Sequence, residues 1–119
     1  MSFTDEEIER YARHLVLREV GGPGQQRLKA AHVLVVGAGG LGAPVSLYLA
    51  AAGVGRITLV DPDVVDRSNL QRQVIYAEDD LGRPKATASA ARLTAMNPNV
   101  RAEGRVEALD AANADALVA

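Results

Sequence analysis

The chain has 119 residues, 48% hydrophobic and 24% charged, which is enough apolar surface for the core of one domain and too little length for two. Thirteen basic and 15 acidic residues leave a net charge of −2, so bulk charge gives no reason to expect a nucleic-acid or membrane partner, and any anion binding falls to local clusters. The absence of cysteine excludes disulfides, thiolate zinc sites and cysteine nucleophiles, and two histidines are too few for a metal site.

No apolar run approaches the roughly 20 residues of a membrane span. The start M-S-F-T-D-E-E is acidic rather than signal-like, so the cytoplasm is the expected compartment.

In chain order, Thr4 and Glu7 stand in capping-box spacing, and Ile8, Tyr11, Ala12 and Leu15 follow at helical intervals. A helix over about residues 5 to 17 is predicted. Its acids (Asp5, Glu6, Glu7, Glu9) come early and its bases (Arg10, Arg13, His14, Arg18) late, an order that complements the helix dipole without any function. G-G-P-G-Q-Q-R-L-K-A-A-H reads as a glycine-rich turn and then a short helix turning Leu28 and Ala31 inward. Residues 1–32 thus form an N-terminal helical segment, and His14 and His32 read as surface or boundary histidines.

V-L-V-V-G at 33 to 37 is a short β-branched run suited to a parallel strand covered on both faces. A-P-V-S-L-Y-L-A-A-A reads as a helix stopped by Gly53, and R-I-T-L-V-D at 56 to 61 as a second buried strand. Pro84 marks a helix start and Asn97-Pro98 its end; a weaker, alternating strand follows near V-R-A-E-G-R-V-E-A-L, then a helix with Asp110 as N-cap. Residues 33–119 are therefore expected to form a Rossmann-like α/β half-domain, doubly wound with a mostly parallel sheet.

Gly37, Gly39 and Gly42 form G-x-G-x-x-G between the first strand and its helix, with Asp61 at the tip of the next strand. The first glycine suits the tight turn, the second lets backbone approach phosphate oxygens, and the third lets the helix pack on the strand. Asp61 is a carboxylate placed to accept ribose hydroxyls. The loop thus reads as nucleotide-binding, with the nucleotide left open; the alternative for the glycines alone is a close strand-helix turn.

A plain dinucleotide site needs no further basic residues, yet Asn69, Gln71, Arg72 and Gln73 follow within a dozen residues of Asp61. A guanidinium such as Arg72 chelates phosphate oxygens bidentately, whereas Asn69 or Gln71 alone reads as an exposed polar turn. Lys85 falls in a first helical turn, where the macrodipole disfavours a cation by about 0.3–1 kcal/mol unless an anion is near; the alternative is a solvated lysine that tolerates that small cost.

R-Y-A-R-H-L-x-L at 10 to 17, G-Q-x-x-L-x-x-A at 24 to 31, V-L-V-V-G-A-G-G-L-G at 33 to 42, A-A-A-G-V-G at 50 to 55, V-D-x-D at 60 to 63, S-N-L-Q-R-Q at 68 to 73, G-x-x-K-A at 82 to 86 and N-P at 97 to 98 resemble the ThiF/MoeB/HesA family of the ubiquitin-activating-enzyme superfamily, in the family's order over nearly the whole chain. The resemblance implies an ATP-dependent adenylyltransferase acting on the C-terminal Gly-Gly carboxylate of a small ubiquitin-like sulfur-carrier protein, with magnesium, as a homodimer without nucleic-acid or membrane partners. It implies nucleotide contacts from Gly37, Gly39, Gly40, Gly42, Asp61, Asp63, Ser68, Asn69, Leu70, Gln71, Arg72 and Lys85. Arg72, Lys85 and a neighbouring subunit's Arg13 are the implied catalytic cations.

The chain ends where a family member reaches roughly its midpoint, before the strand whose acid binds magnesium and before the zinc-binding C-X-X-C pairs, so no metal ligands are expected in it. The 119 residues are accordingly expected to be inactive alone. An NAD-dependent Rossmann oxidoreductase, resting on the glycines and Asp61, and a non-catalytic nucleotide-binding or dimerisation partner are the competing expectations.

Overall fold

The computed structural model describes residues 2–119. Three parallel strands form one sheet in the order β1 (His32–Val36), β2 (Arg56–Val60), β3 (Arg101–Arg105), with Val36 level with Val60 and Val60 with Arg105. Each crossover carries a helix, α4 (Gly42–Ala52) from β1 to β2 and α5 (Lys85–Met96) from β2 to β3. The two helices pack against each other and so share one face of the sheet. This α/β architecture is the expected one, and all three strands end on the same edge.

The core centres on β2. Ile57, Leu59 and Val60 are buried with Val54, Leu93 and Val35 around them. The reading of β1 as covered on both faces holds only in part: Val35 is buried but Val36 is 56% exposed. The physical reason is position, because β1 pairs with β2 alone among the described residues and forms an edge of the sheet.

The first predicted helix is broken. The capping box of Thr4 and Glu7 opens α1 (Asp5–Arg10), Tyr11 leaves helical geometry at φ −102° and ψ 13°, and α2 (Ala12–Leu15) resumes. Tyr11 is buried, and its hydroxyl accepts from Asn97 Nδ2 at 2.9 Å, a tertiary bond that the helical period does not encode. The glycine-rich stretch also differs from expectation, since it is itself the first turn of α3 (Gly21–Ala30), with Pro23 where its missing N–H is not needed.

These helices dock through buried amides. Gln25, fully buried, donates to the Ala52 carbonyl at the C-terminal end of α4 and accepts from His14 Nδ1, each at 2.9 Å. The bond to Ala52 uses the amide nitrogen, so the oxygen must accept and His14 carries its proton on Nδ1. His32, for its part, bonds Thr58 Oγ1 at 2.7 Å. α4 ends at Gly53 and α5 at Asn97, both as expected. The last helix, α6 (Ala114–Val118), starts later than expected, because the Asp110 carboxylate caps the turn at Ala112 and Asn113 instead.

Candidate functional site

The glycine loop leaves β1 at its C-terminal end. Gly37 turns the chain at φ +91° and donates its N–H to the Val60 carbonyl at 2.8 Å, tying the loop to β2. A Cβ on Gly42 would fall 1.8 Å from the Gly37 carbonyl oxygen, so only glycine lets α4 begin this close to the strand end. Between them Ala38 is held from both sides: its N–H donates to Asp61 Oδ2 at 2.8 Å, and its carbonyl accepts from the Tyr76 hydroxyl at 2.5 Å. Among the described residues the backbone N–H groups of Gly39 and Gly40 meet no acceptor. They precede the N-terminus of an eleven-residue helix, an arrangement that attracts anions.

Asp61 is only 6% exposed, and its second oxygen accepts the Asp63 N–H at 2.7 Å. The carboxylate expected to meet ribose is therefore first a clamp on the loop, with one lone pair left on each oxygen for a further donor. Asp63 is exposed, and its carbonyl accepts the Lys85 N–H at 2.9 Å, which brings the start of α5 to the end of β2. Gly104 lets the same helix start lie close on β3, since a Cβ there would lie 2.3 Å from the Ala86 carbonyl oxygen.

Lys85 is the first residue of α5 and only 7% exposed. Its ammonium forms no ion pair and no hydrogen bond among the described residues. A lysine with a buried stem, at the positive end of a helix and with no ion-pair partner among the described residues, is in a place that a bound anion would favour.

The segment from Asp66 to Gln73 folds as a short 3₁₀ turn (Arg67–Asn69) and a following turn, capped by Asp66. The Asp66 carboxyl lies below its ordinary range, chiefly because Ser68 Oγ donates to it at 2.6 Å, with the Arg67 N–H next and the charges of Arg67 and Lys85 adding. The Ser68 proton is thus already committed. Asn69 Oδ1 accepts the Asp66 N–H, leaving its NH₂ free to donate. Arg72 is exposed and makes one 3.3 Å bond to the Ser68 carbonyl, with no carboxylate partner among the described residues. Gln71 is exposed, whereas Leu70 packs on the core and anchors the turn.

The structure therefore gathers Gly37, Gly39, Gly40, Gly42, Asp61, Asp63 and Lys85 at one end of the sheet, with the turn holding Ser68, Asn69 and Arg72 joined to them through Gln73, whose amide lies on Gly39. Arg13 is not gathered there. It is exposed on α2, beside the His14 to Gln25 to Ala52 chain at the opposite end of α4 from the loop. Those ends are about 15 Å apart at ~1.5 Å per residue, beyond the reach of an arginine side chain.

Two concavities lie elsewhere, one of about 440 Å³ lined by Glu6, Glu9 and Arg10 and one of about 140 Å³ beside Asp80, Arg83 and Arg92. Unmatched donors and charge mark the loop. Sequence reasoning missed Tyr76, whose burial pushes the hydroxyl well above the ordinary tyrosine range and keeps it neutral, and Gly104. A glycine inside a strand is a signal of close backbone approach; the apolar run around Tyr76 carries none.

The family model described as "ThiF family" matches residues 11–119. The chain belongs to the ThiF family. Among ThiF-family relatives, it is 54% identical over 114 residues to the sulfur carrier protein adenylyltransferase of Thermus thermophilus, covering 96% of this chain and 42% of that one. The crystal structure of PaaA superposes with a TM-score of 0.89 at 37% identity, over 98% of this chain and 39% of that one. Escherichia coli tRNA N6-threonylcarbamoyladenosine dehydratase, TcdA, solved in complex with ATP, gives a TM-score of 0.86 at 32% identity, over 95% of this chain and 46% of that one. The chain spans less than half the length of the curated relatives it matches.

Proposed function

We propose that this face binds ATP and serves an adenylyltransferase that activates the C-terminal glycine carboxylate of a small ubiquitin-like sulfur-carrier protein. The observation that carries the reading is Lys85, a cation on a buried stem with no ion-pair partner among the described residues, linked through the Tyr76 hydroxyl to a glycine loop whose N–H groups have no acceptor. The ATP complex of TcdA and the name of the Thermus relative support the nucleotide and the reaction.

The chemistry needs no general base. A C-terminal carboxylate, with a pKa near 3.5, is ionised at neutral pH and attacks the α-phosphorus directly. An oxygen–phosphorus bond forms, the bond to the bridging oxygen of pyrophosphate breaks with its electron pair, and a mixed acyl-adenylate anhydride results. Gly39, Gly40 and the start of α4 hold phosphate oxygens; Lys85, Arg72 and Asn69 set cations and donors on the spreading negative charge. Asp61 holds the loop and accepts a ribose hydroxyl with its remaining lone pairs. Arg13 serves a second copy's site in a homodimer, since its own loop is out of reach.

A magnesium ion would add cation density at the departing pyrophosphate. Among the described residues no group of three or more His, Cys, Asp or Glu side chains could hold a metal ion. Also among them, no helix is long and apolar enough to cross a membrane.

Titration calorimetry with ATP and with adenosine tests the assignment. Arg72→Ala is expected to weaken ATP and spare adenosine, and Asp61→Ala to weaken both, because one side chain meets phosphate and the other sugar and loop. Carrier-dependent pyrophosphate–ATP exchange by the full protein tests the reaction. Equal losses for both ligands in both variants, or no exchange with any sulfur carrier, would overturn the reading.

A further inference from the structure

Tyr76 packs among the buried core residues, and its hydroxyl reaches two backbone carbonyls of the site from within the protein. The oxygen stands 2.5 Å from the Ala38 carbonyl and 3.3 Å from the Lys85 carbonyl. A phenol has one proton to give, and the Lys85 carbonyl already accepts from Ser89 Oγ at 2.7 Å, so the proton goes to Ala38. Burial pushes the hydroxyl well above the ordinary tyrosine range, so that proton stays in place at neutral pH. Ala38 is fully buried, and among the described residues its carbonyl has no other partner.

A trans peptide unit holds its C=O and the following N–H in one plane, pointing in opposite directions. The Ala38 carbonyl and the Gly39 N–H belong to one such unit. Drawing the carbonyl inward onto Tyr76 therefore turns the Gly39 N–H outward, and that N–H is one of the loop donors that meet no acceptor. The preceding unit is fixed separately, by the Ala38 N–H on Asp61. Without the tyrosine hydroxyl the Ala38–Gly39 unit is free to turn over, because Gly39 has no Cβ to resist it.

Resting on the nucleotide reading, we propose that Tyr76 is a positioning residue: its hydroxyl holds the Ala38–Gly39 peptide in the orientation that presents the Gly39 N–H to phosphate. The ligand then meets a donor already aimed, with no reorganisation on binding. The tyrosine acts through the backbone and needs no contact with the nucleotide.

Tyr76→Phe in the full protein removes the oxygen and keeps the ring. It is expected to bind ATP about three- to tenfold more weakly, the scale of one neutral hydrogen bond, and adenosine, which has no phosphate, less than about twofold. Nuclear magnetic relaxation dispersion on isotope-labelled glycine reads the peptide itself. In Tyr76→Phe without ligand the Gly39 amide should show microsecond-to-millisecond exchange that is absent from the parent and is quenched by ATP. The parent supplies a check that does not depend on the variant folding: ATP should slow hydrogen exchange at the Gly39 amide by at least about tenfold. A merely structural hydroxyl would lower melting while leaving the ATP-to-adenosine affinity ratio and the Gly39 amide as in the parent, and that result would overturn the proposal. So would a parental Gly39 amide that bound ATP leaves unprotected. A parent that binds no ATP would overturn the nucleotide reading, and this proposal with it.

Discussion

Replacing Lys85 by methionine keeps the buried stem and removes only the charge, which separates a functional cation from a tolerated one. If the ammonium awaits phosphate, ATP affinity falls about ten- to a hundredfold, as for loss of a charged hydrogen bond, while the unliganded protein melts no lower. Unchanged ATP binding would remove Lys85 from the site. Its unusual position was legible in the sequence, a cation in the first turn of a helix, though a solvated lysine stayed the alternative. Asp61 was legible as an acid at a strand end, yet its clamp on Ala38 spans 23 residues and leaves no periodic trace. Ser68 was legible only by resemblance, and its turn toward Asp66 depends on a cap that forms after folding.

The elements were readable where local chemistry fixes their ends: the capping box of α1, Gly53 after α4, and the Pro84 and Asn97 bounds of α5. They were unreadable where a distant partner intervenes, as when Asn97 takes the Tyr11 hydroxyl across 86 residues and splits the first helix. The same helix supplies a pH test. Glu7 is buried, accepts the Thr4 N–H and pairs with Lys29 at 3.0 Å, and its carboxyl lies below the ordinary value of 4.5, the Thr4 bond being the largest cause. A lowered folded-state pKa contributes stability that is complete above about 4.5 and is lost as pH falls through the folded value. Hydrogen exchange of α1 amides is therefore expected to accelerate as pH falls below about 4.5, after correction for intrinsic rates, and Glu7→Gln is expected to flatten that dependence. An acid response unchanged in Glu7→Gln would assign it to other carboxylates.

At the scale of the molecule, the parallel sheet sets its loop, acid and lysine at one end and the helical segment bearing Arg13 at the other. The parallel βαβ unit of β1 and β2 was legible from strand, glycine loop, helix, strand; the distance between Arg13 and the loop was not, because only the docking of Gln25 on Ala52 fixes it. Mixing Arg13→Ala with Arg72→Ala subunits checks the consequence. With the arginine acting between copies, half of the dimers are mixed and each has one intact site, so adenylation returns to about one quarter of the parental rate. No recovery after confirmed subunit exchange would return Arg13 to the plain role of balancing its helix dipole.

If Arg13 serves a second copy, as proposed, turnover becomes a matter of mass action. A site finished by a second copy exists only while two chains are together, so rate per chain should fall on dilution through the dissociation constant of the pair. Well below that constant, total rate should rise with the square of protein concentration, and added carrier or ATP should not restore proportionality. Sedimentation and initial rates measured over the same dilution series check this: monomers turning over at the undiluted rate per chain would mean that each chain is complete in itself.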